Sequence, residues 1–432
     1  MKKGASVFDF EIEVLYRLTG LGGAVPRNLT DFSNIFSLTP VKNLWYTYNY
    51  RKTVREGLES MRKQTTRNLR RAAAIGLAGL MLFFTGCGKK KVEETTIAET
   101  TKAPETLPPP TTAAETEPET EAHPEGMVRS YLTGQWVPEE IGTRRPAAVM
   151  ISNVKVAQPT YGLSAADVVY ETPGEASAVR FVAFFEQYDD LKEIGSIRSA
   201  RTYHAVIQQE FQSVFFHYGQ CEYARPYLEG GMCDCVNGVT GASEWAFHSM
   251  SGREKPHHHF TSGDEMKYAI EKMGYSNEYS PDYQGHYQFV DDGESPVMKD
   301  AAPANKVSVG YVSNKPWFEY NAEDGLYYRY QFEAPHVDVG NNDVQLAYKN
   351  ILIQVCDYEH YYDTDYLNIN LWGEGVGQYI TDGKVIPVTW RKDGEWGITR
   401  YYDAEGNEIK LNQGRTWVCI VRTERANRVV IE

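Results

Sequence analysis

Residues 92–126 hold nine Thr, nine Glu and six Pro in 35 positions, and no aromatic residue. Such a stretch cannot bury enough apolar surface to offset the entropy of ordering it. It therefore divides the chain of 432 residues. A core must form after it, and what precedes it needs a separate explanation. The segment reads as an extended, self-repelling tether. Downstream there is ample material for a core, since the chain is 42% hydrophobic and has 30 Tyr.

Ahead of the tether, residues 61–91 read MRKQTTRNLRRAAAIGLAGLMLFFTGCGKKK. Arg62, Lys63, Arg67, Arg70 and Arg71 form a basic start, and 13 apolar or small residues follow, Ala72 to Phe84. That run is shorter than the ~20 residues of a bilayer span but suits a secretory signal. Phe84-Thr85-Gly86-Cys87 resembles a bacterial lipobox. Its Cys is expected to be diacylated, and two acyl chains give stable anchoring where one does not. The expected location is the extracytoplasmic face of the cell membrane, with the membrane as partner through the lipid on Cys87. An uncleaved anchor ending at a chance Cys would place the body on the same side. Residues 1–60 precede this signal and read as an upstream extension before a true start at Met61, or as a cytoplasmic tail.

Charge supports this division. Residues 1–86 carry 13 Lys+Arg against 6 Asp+Glu, or +7, so the formal charge of -14 leaves -21 for residues 87–432. An acidic body disfavours nucleic acid, and none is expected as a partner. Six Cys exclude a disulfide-dense scaffold.

After the signal segment (61–87) and tether (88–142), the fold class expected is α+β: a mixed α/β first domain over 143–300, then a smaller, mostly-β second domain over 301–432. In the first, residues 146–152 (PAAVMIS), 167–171 (DVVYE), 179–187 (VRFVAFFEQ) and 213–218 (SVFFHY) read as buried strands. Residues 199–211 have helical spacing, and Ser262-Gly263-Asp264-Glu265 opens a second helix that Gly274 closes. In the second, strands are expected over 306–311, 326–332, 350–356, 384–391, 398–402 and 415–421, with turns at Thr381-Asp382-Gly383 and Asp403-Ala404-Glu405-Gly406. Gly373-Glu374-Gly375-Val376-Gly377 lacks the spacing and following helix of a dinucleotide fingerprint.

The most suggestive chemistry lies in Gly195-Ser196-Ile197-Arg198-Ser199-Ala200-Arg201. Two arginines at the positive end of a helix favour an anion between them. With Arg180 from the preceding strand, Arg198 and Arg201 are the candidate anion-binding set, for phosphate or carboxylate. Equally, Glu171, Glu175 or Asp167 could neutralise them in a structural network. Glu171 and His217 end predicted strands and are candidate acid/base groups, as is His257. Lys255-Pro256-His257-His258-His259, with Cys233 and Cys235, lacks the spacing of a zinc site, so no metal is expected. No GxSxG, HExxH or phosphate-loop pattern occurs, and no cofactor is expected. Cys356 and Cys419 lie in apolar strand patterns and could face each other as a disulfide; Cys221 could reach Cys233 or Cys235, and reduced buried thiols fit as well. The clustered tyrosines Tyr327, Tyr328, Tyr330 and Tyr358, Tyr361, Tyr362 could stack on sugars or pack across strands.

The residues from Arg145 onward resemble the YerB family of bacterial lipoproteins. The resemblance rests on Arg145-Pro146-Ala147-Ala148-Val149-Met150-Ile151, Ala166-Asp167-Val168-Val169-Tyr170-Glu171, Val179-Arg180-Phe181, the Gly195 to Arg201 run, His217-Tyr218-Gly219 and Pro256-His257. It continues through Asn350-Ile351-Leu352-Ile353-Gln354, Thr399-Arg400-Tyr401-Tyr402-Asp403 and Gly414-Arg415-Thr416-Trp417. His258 and His259 depart from the Asn-Leu usual there. The resemblance implies a two-domain surface lipoprotein of a Gram-positive-type bacterium, with domains of unknown function and an association with penicillin-binding proteins. The order of strands and arginines is also similar to the LytR-CpsA-Psr phosphotransferases, although Ser199 stands where those enzymes pair Arg with Asp. Two readings follow. One is a non-catalytic, lipid-anchored protein that binds a cell-wall component or a wall-synthesis partner. The other is an enzyme acting on a phosphorylated, lipid-linked envelope precursor.

Overall fold

Segments that are mostly apolar or small become strands covered on both faces. In the computed structural model, which describes residues 124–362 and 364–432, the runs Ala147–Ser152 (β1) and Val168–Pro173 (β2) are buried along their whole length. The lipobox Cys87 and all of residues 1–123 lie outside the described residues. Val179–Phe185 (β3) follows, then helix Thr202–Gln209 (α1), strands Val214–His217 (β4) and Cys235–Asn237 (β5), and helix Gly263–Met273 (α2). The α2 boundaries follow from capping: the Ser262 hydroxyl accepts from the Glu265 amide, and Gly274 ends the helix at φ 68°.

The later segment supplies Lys306–Ser308 (β6), Trp317–Asn321 (β7), Leu326–Gln331 (β8), Asn350–Cys356 (β9), Gly373–Thr381 (β10), Lys384–Lys392 (β11), Arg400–Tyr402 (β12), Thr416–Arg422 (β13) and Val430–Ile431 (β14). The architecture is thus mixed α+β. The boundary expected near residue 300 separates segments that share one eleven-stranded sheet. Its order is β11–β10–β9–β13–β2–β3–β1–β4–β5, with β12 and the short strand Ala302–Pro303 also on β11. The join is parallel: Trp417 of β13 pairs with Val169 of β2, and Cys419 with Glu171. Strands β9, β13, β2, β1, β4 and β5 all run in one direction, with β3 antiparallel between β2 and β1.

Side chains alternate between two cores. One face carries Val169, Phe181, Ile353, Trp417 and Cys419, and is covered by Met266 and Ile270 of α2 and by Val307, Phe318 and Tyr327 of a smaller antiparallel sheet. The other carries Tyr170, Val182, Leu352, Cys356 and Val418 under Tyr203 and Ile207 of α1. Cys356 and Cys419 therefore point to opposite faces. Cys356 pairs in register with Arg422, three positions beyond Cys419. The disulfide expected between them is not formed; both are free and buried, as are Cys221 and Cys233, while half-buried Cys235 is also free. An odd register offset on parallel neighbours places two side chains on opposite sides, out of bonding reach.

Two ionic ties fasten these layers. Glu171 of β2 and Arg329 of β8, both fully buried, meet at 2.8 Å. Asn314 and Trp417 also donate to the Glu171 carboxylate, at 2.9 and 3.0 Å. Replacing Glu171 by Gln leaves a buried guanidinium without its counter-charge and is expected to cost ~3–5 kcal/mol of unfolding free energy; urea unfolding of the two proteins measures it. At the surface, His248 bridges Glu265 (2.9 Å) and Glu193 (2.8 Å). Hydrogen bonding to Glu265, and then to Glu193, raises its pKa to about 9 from the ordinary 6.5. The group gains stability only when protonated, so its contribution is complete below the unfolded value and is lost as pH rises through about 9. Melting temperatures of the native chain and His248→Gln should differ below about pH 6 and converge above about pH 10.

Candidate functional site

Strands β1 and β4 pair over Ala147–Val149 and Val214–Phe216, then part. The segment 196–199 fills the gap: the Ser152 amide donates to Ser196 O, the Arg198 amide to Met150 O, and the Tyr218 amide to Arg198 O, at 2.8–3.0 Å. This is the carboxyl edge of the parallel strands, where ligands of open sheets collect. Arg180 starts β3 at the same edge, in register with Ser152 and Thr172.

The three arginines have different surroundings. Arg201 is buried and grips Glu175 with two bonds, Nε to Oε1 at 2.6 Å and Nη2 to Oε2 at 2.9 Å. Arg180 donates to the same carboxylate at 3.2 Å. Burial opposes ionisation of Glu175, but the two guanidiniums outweigh it and hold its pKa below the ordinary value. Arg198 has no carboxylate at ion-pair distance among the described residues; its guanidinium donates to Pro256 O at 3.2 Å. Burial, and then repulsion from Arg180 and Arg201, pulls its pKa down. Two of the three cations thus share one carboxylate, and the uncompensated third lines a cavity of about 390 Å³ with Ser199, Tyr218, Asn237 and Arg225. Glu229 also lines this cavity but lies beside Arg225, 3.8 Å away.

A hydrogen-bond chain anchors the base of the cluster. The Arg201 amide donates to His204 Nδ1 at 3.0 Å, which puts the ring proton on Nε2. Nε2 then donates to Thr172 Oγ1 (2.9 Å), which donates to Arg180 O (3.2 Å). Burial, with Arg180 and Arg201 nearby, keeps His204 neutral. His204 is therefore a positioning residue for both arginines.

The expected acid/base groups do not converge here. Glu171 points into the core beneath the smaller sheet and is committed to Arg329. His217 lies on the opposite face beside Phe215. The two cannot act as partners, because alternation along strands sends them to different sides of the sheet. His217 Nδ1 donates to Gly219 O at 2.9 Å, its Nε2 is buried without a partner among the described residues, and burial lowers its pKa to about 4. His257 comes nearer, with Nδ1 3.4 Å from Ser152 Oγ, and burial followed by repulsion from Arg198 depresses its pKa. The described residues contain no group of three or more His, Cys, Asp or Glu able to hold a metal. The cavity residues Arg225 and Asn237 carry no local sequence signal, because they reach the site from a short helix, Arg225–Leu228, and from the end of β5, which only the tertiary fold brings together.

The comparisons with known proteins agree in kind. Residues 132–276 match the N-terminal domain, and residues 307–418 the C-terminal domain, of a protein of unknown function, DUF3048. A Bacillus subtilis protein named "Putative lipoprotein YerB" is 29% identical over 316 residues, covering 68% of this chain and 86% of that one.

The chain belongs to the YerB family.

The crystal structure of the YerB protein from Bacillus subtilis superposes with a TM-score of 0.62 at 27% identity, covering 71% of this chain and 99% of that one. The two YerB domain matches end and begin on either side of residue 300, while β2 and β13, one from each, are neighbours in the sheet. On this geometry all five thiols of the YerB-like body are reduced. Denaturation with iodoacetamide and no reductant should add five carbamidomethyl groups to residues 124–432, counted by peptide mass spectrometry; a linked Cys356–Cys419 peptide would contradict the register.

Proposed function

We propose that this is a lipid-anchored, extracytoplasmic binding protein that captures a phosphate group of a cell-wall component at Arg198. Cys87 would hold it to the membrane, with residues 88–142 as the tether. The name of the Bacillus subtilis relative supports the anchor, and no helix among the described residues is long and apolar enough to cross a membrane. One observation carries the binding reading: Arg198 is a partly buried cation at a cavity, repelled by two neighbours, with no carboxylate at ion-pair distance among the described residues, the cavity's Glu229 lying beside Arg225. Binding an anion there removes an unfavourable charge arrangement and adds charge-assisted hydrogen bonds. The separation of Glu171 from His217 favours binding over catalysis on a phosphorylated precursor.

Thermal unfolding of the full chain in detergent, with and without a prenyl pyrophosphate, tests this reading. A ligand at ~100 times its Kd should add about 2.7 kcal/mol and raise the melting temperature. Arg198→Ala should abolish the shift with little effect on the unliganded protein. Arg201→Ala should lower the unliganded melting temperature, because Glu175 loses its bidentate partner. A full shift retained in Arg198→Ala would exclude this site.

A further inference from the structure

Helix α1 also forms one wall of a second cavity, of about 520 Å³, through Thr202, Tyr203 and Val206. The other wall is the segment between β9 and β10, where Tyr358–His360 pairs antiparallel with Leu367–Ile369. Leu367, Ile369 and Leu371 are buried, and the alternating Asn368 and Asn370 line the cavity. Trp372 stands at its edge, 55% exposed, with no aromatic partner among the described residues. Tyr361 offers one ring face; the other is stacked on Tyr223 at 4.1 Å. A half-exposed indole on a concave, polar-lined surface marks a contact site rather than core packing.

The polar groups are held in place by their neighbours. Tyr361 Oη donates to Asn368 Oδ1 (2.9 Å), and Asn368 Nδ2 donates to Glu359 Oε1 (3.0 Å). Tyr227 Oη donates to Glu395 Oε1 and Thr423 Oγ1 to Asp357 Oδ1, both at 2.5 Å. Each carboxylate keeps a second oxygen able to accept. Among the described residues, Asp357, Glu359 and Glu395 have no Lys or Arg at ion-pair distance. Such a lining repels phosphates and carboxylates, so this cavity and the one at Arg198 do not select the same chemical group.

The geometry points to an uncharged oligosaccharide as the occupant of the cavity between α1 and Trp372. The C–H face of a sugar ring packs on the electron-rich face of an aromatic ring. Its hydroxyls donate to fixed carboxylates and accept from the amide N–H groups of Asn368 and Asn370. The volume falls within the ~300–1,000 Å³ of small-ligand sites. The assignment rests on residues apart from the arginine cluster, and its failure leaves the Arg198 reading untouched.

Calorimetric titration of the full chain with the neutral tetramer of N-acetylglucosamine, and separately with cellotetraose, tests it. At least one should bind, with Kd raised about tenfold or more in Trp372→Ala and largely restored in Trp372→Phe. The exposed indole should be removable without a change in melting temperature, and Val376→Ala, another exposed apolar truncation, should bind as the native chain does. Heat from neither neutral tetramer would overturn the proposal, as would equal binding by Trp372→Ala. It would also be overturned if only the amine-bearing glucosamine tetramer bound, with binding lost at high salt, because the site would then be one for ammonium groups.

Discussion

The buried contact between Glu171 and Arg329 links parts of the chain that are distant in sequence. Burying two charges is costly, and the pair persists because most of its other valences are occupied, although the Arg329 Nε is buried without a partner among the described residues. Asn314 and Trp417 donate to the carboxylate, and the guanidinium sits 4.6 Å from the Trp417 ring while donating to His336 Nδ1 at 2.6 Å. The Nε2 atom of His336 in turn lies 2.8 Å from Thr160 Oγ1. One carboxylate therefore specifies how β2, β8 and β13 stack.

The edge of the sheet has an uneven electrostatic character. The chain is acidic overall, yet at the split between β1 and β4 two of three clustered guanidiniums share a single carboxylate and the third, Arg198, has none at ion-pair distance among the described residues. The second cavity, walled on one side by α1, has carboxylates with no Lys or Arg at ion-pair distance among the described residues. Helix α1 contributes to both, its capping residue Arg201 to the cationic cluster and Thr202, Tyr203 and Val206 to the acidic, aromatic cavity.

Much of this was legible in the sequence where one local signal dominates. The largely apolar runs that form β1, β3 and β4 show at once, as does the Ser262 to Gly274 helix, because burial on both faces and capping are local properties. The strand Gly373–Thr381 did not show. Its glycines and polar residues suppress the strand signal, and pairing with β9 on one side and β11 on the other creates it. The arginine cluster was half legible: the residues and Glu175 as a neutralising partner were evident, but not that Arg201 takes Glu175 and leaves Arg198 without a carboxylate. Nor could local pattern foresee that Glu171 and His217, each at a strand end, face opposite ways, since that depends on the order of strands across the sheet.

Strand β13 lies between β9 and β2 in the middle of the main sheet, although it is among the last segments of the chain. Neither flanking strand can complete its hydrogen bonds until residue 422 is present, and the parallel pairing with β2 closes a loop of some 250 residues. Such non-local closure is slow and leaves apolar edges open while it waits. If the chain is threaded across a membrane from its amino end, its first half emerges unable to finish folding. The time between export and completion is then a window in which the unpaired edge of β2 is exposed to proteases, chaperones and other chains.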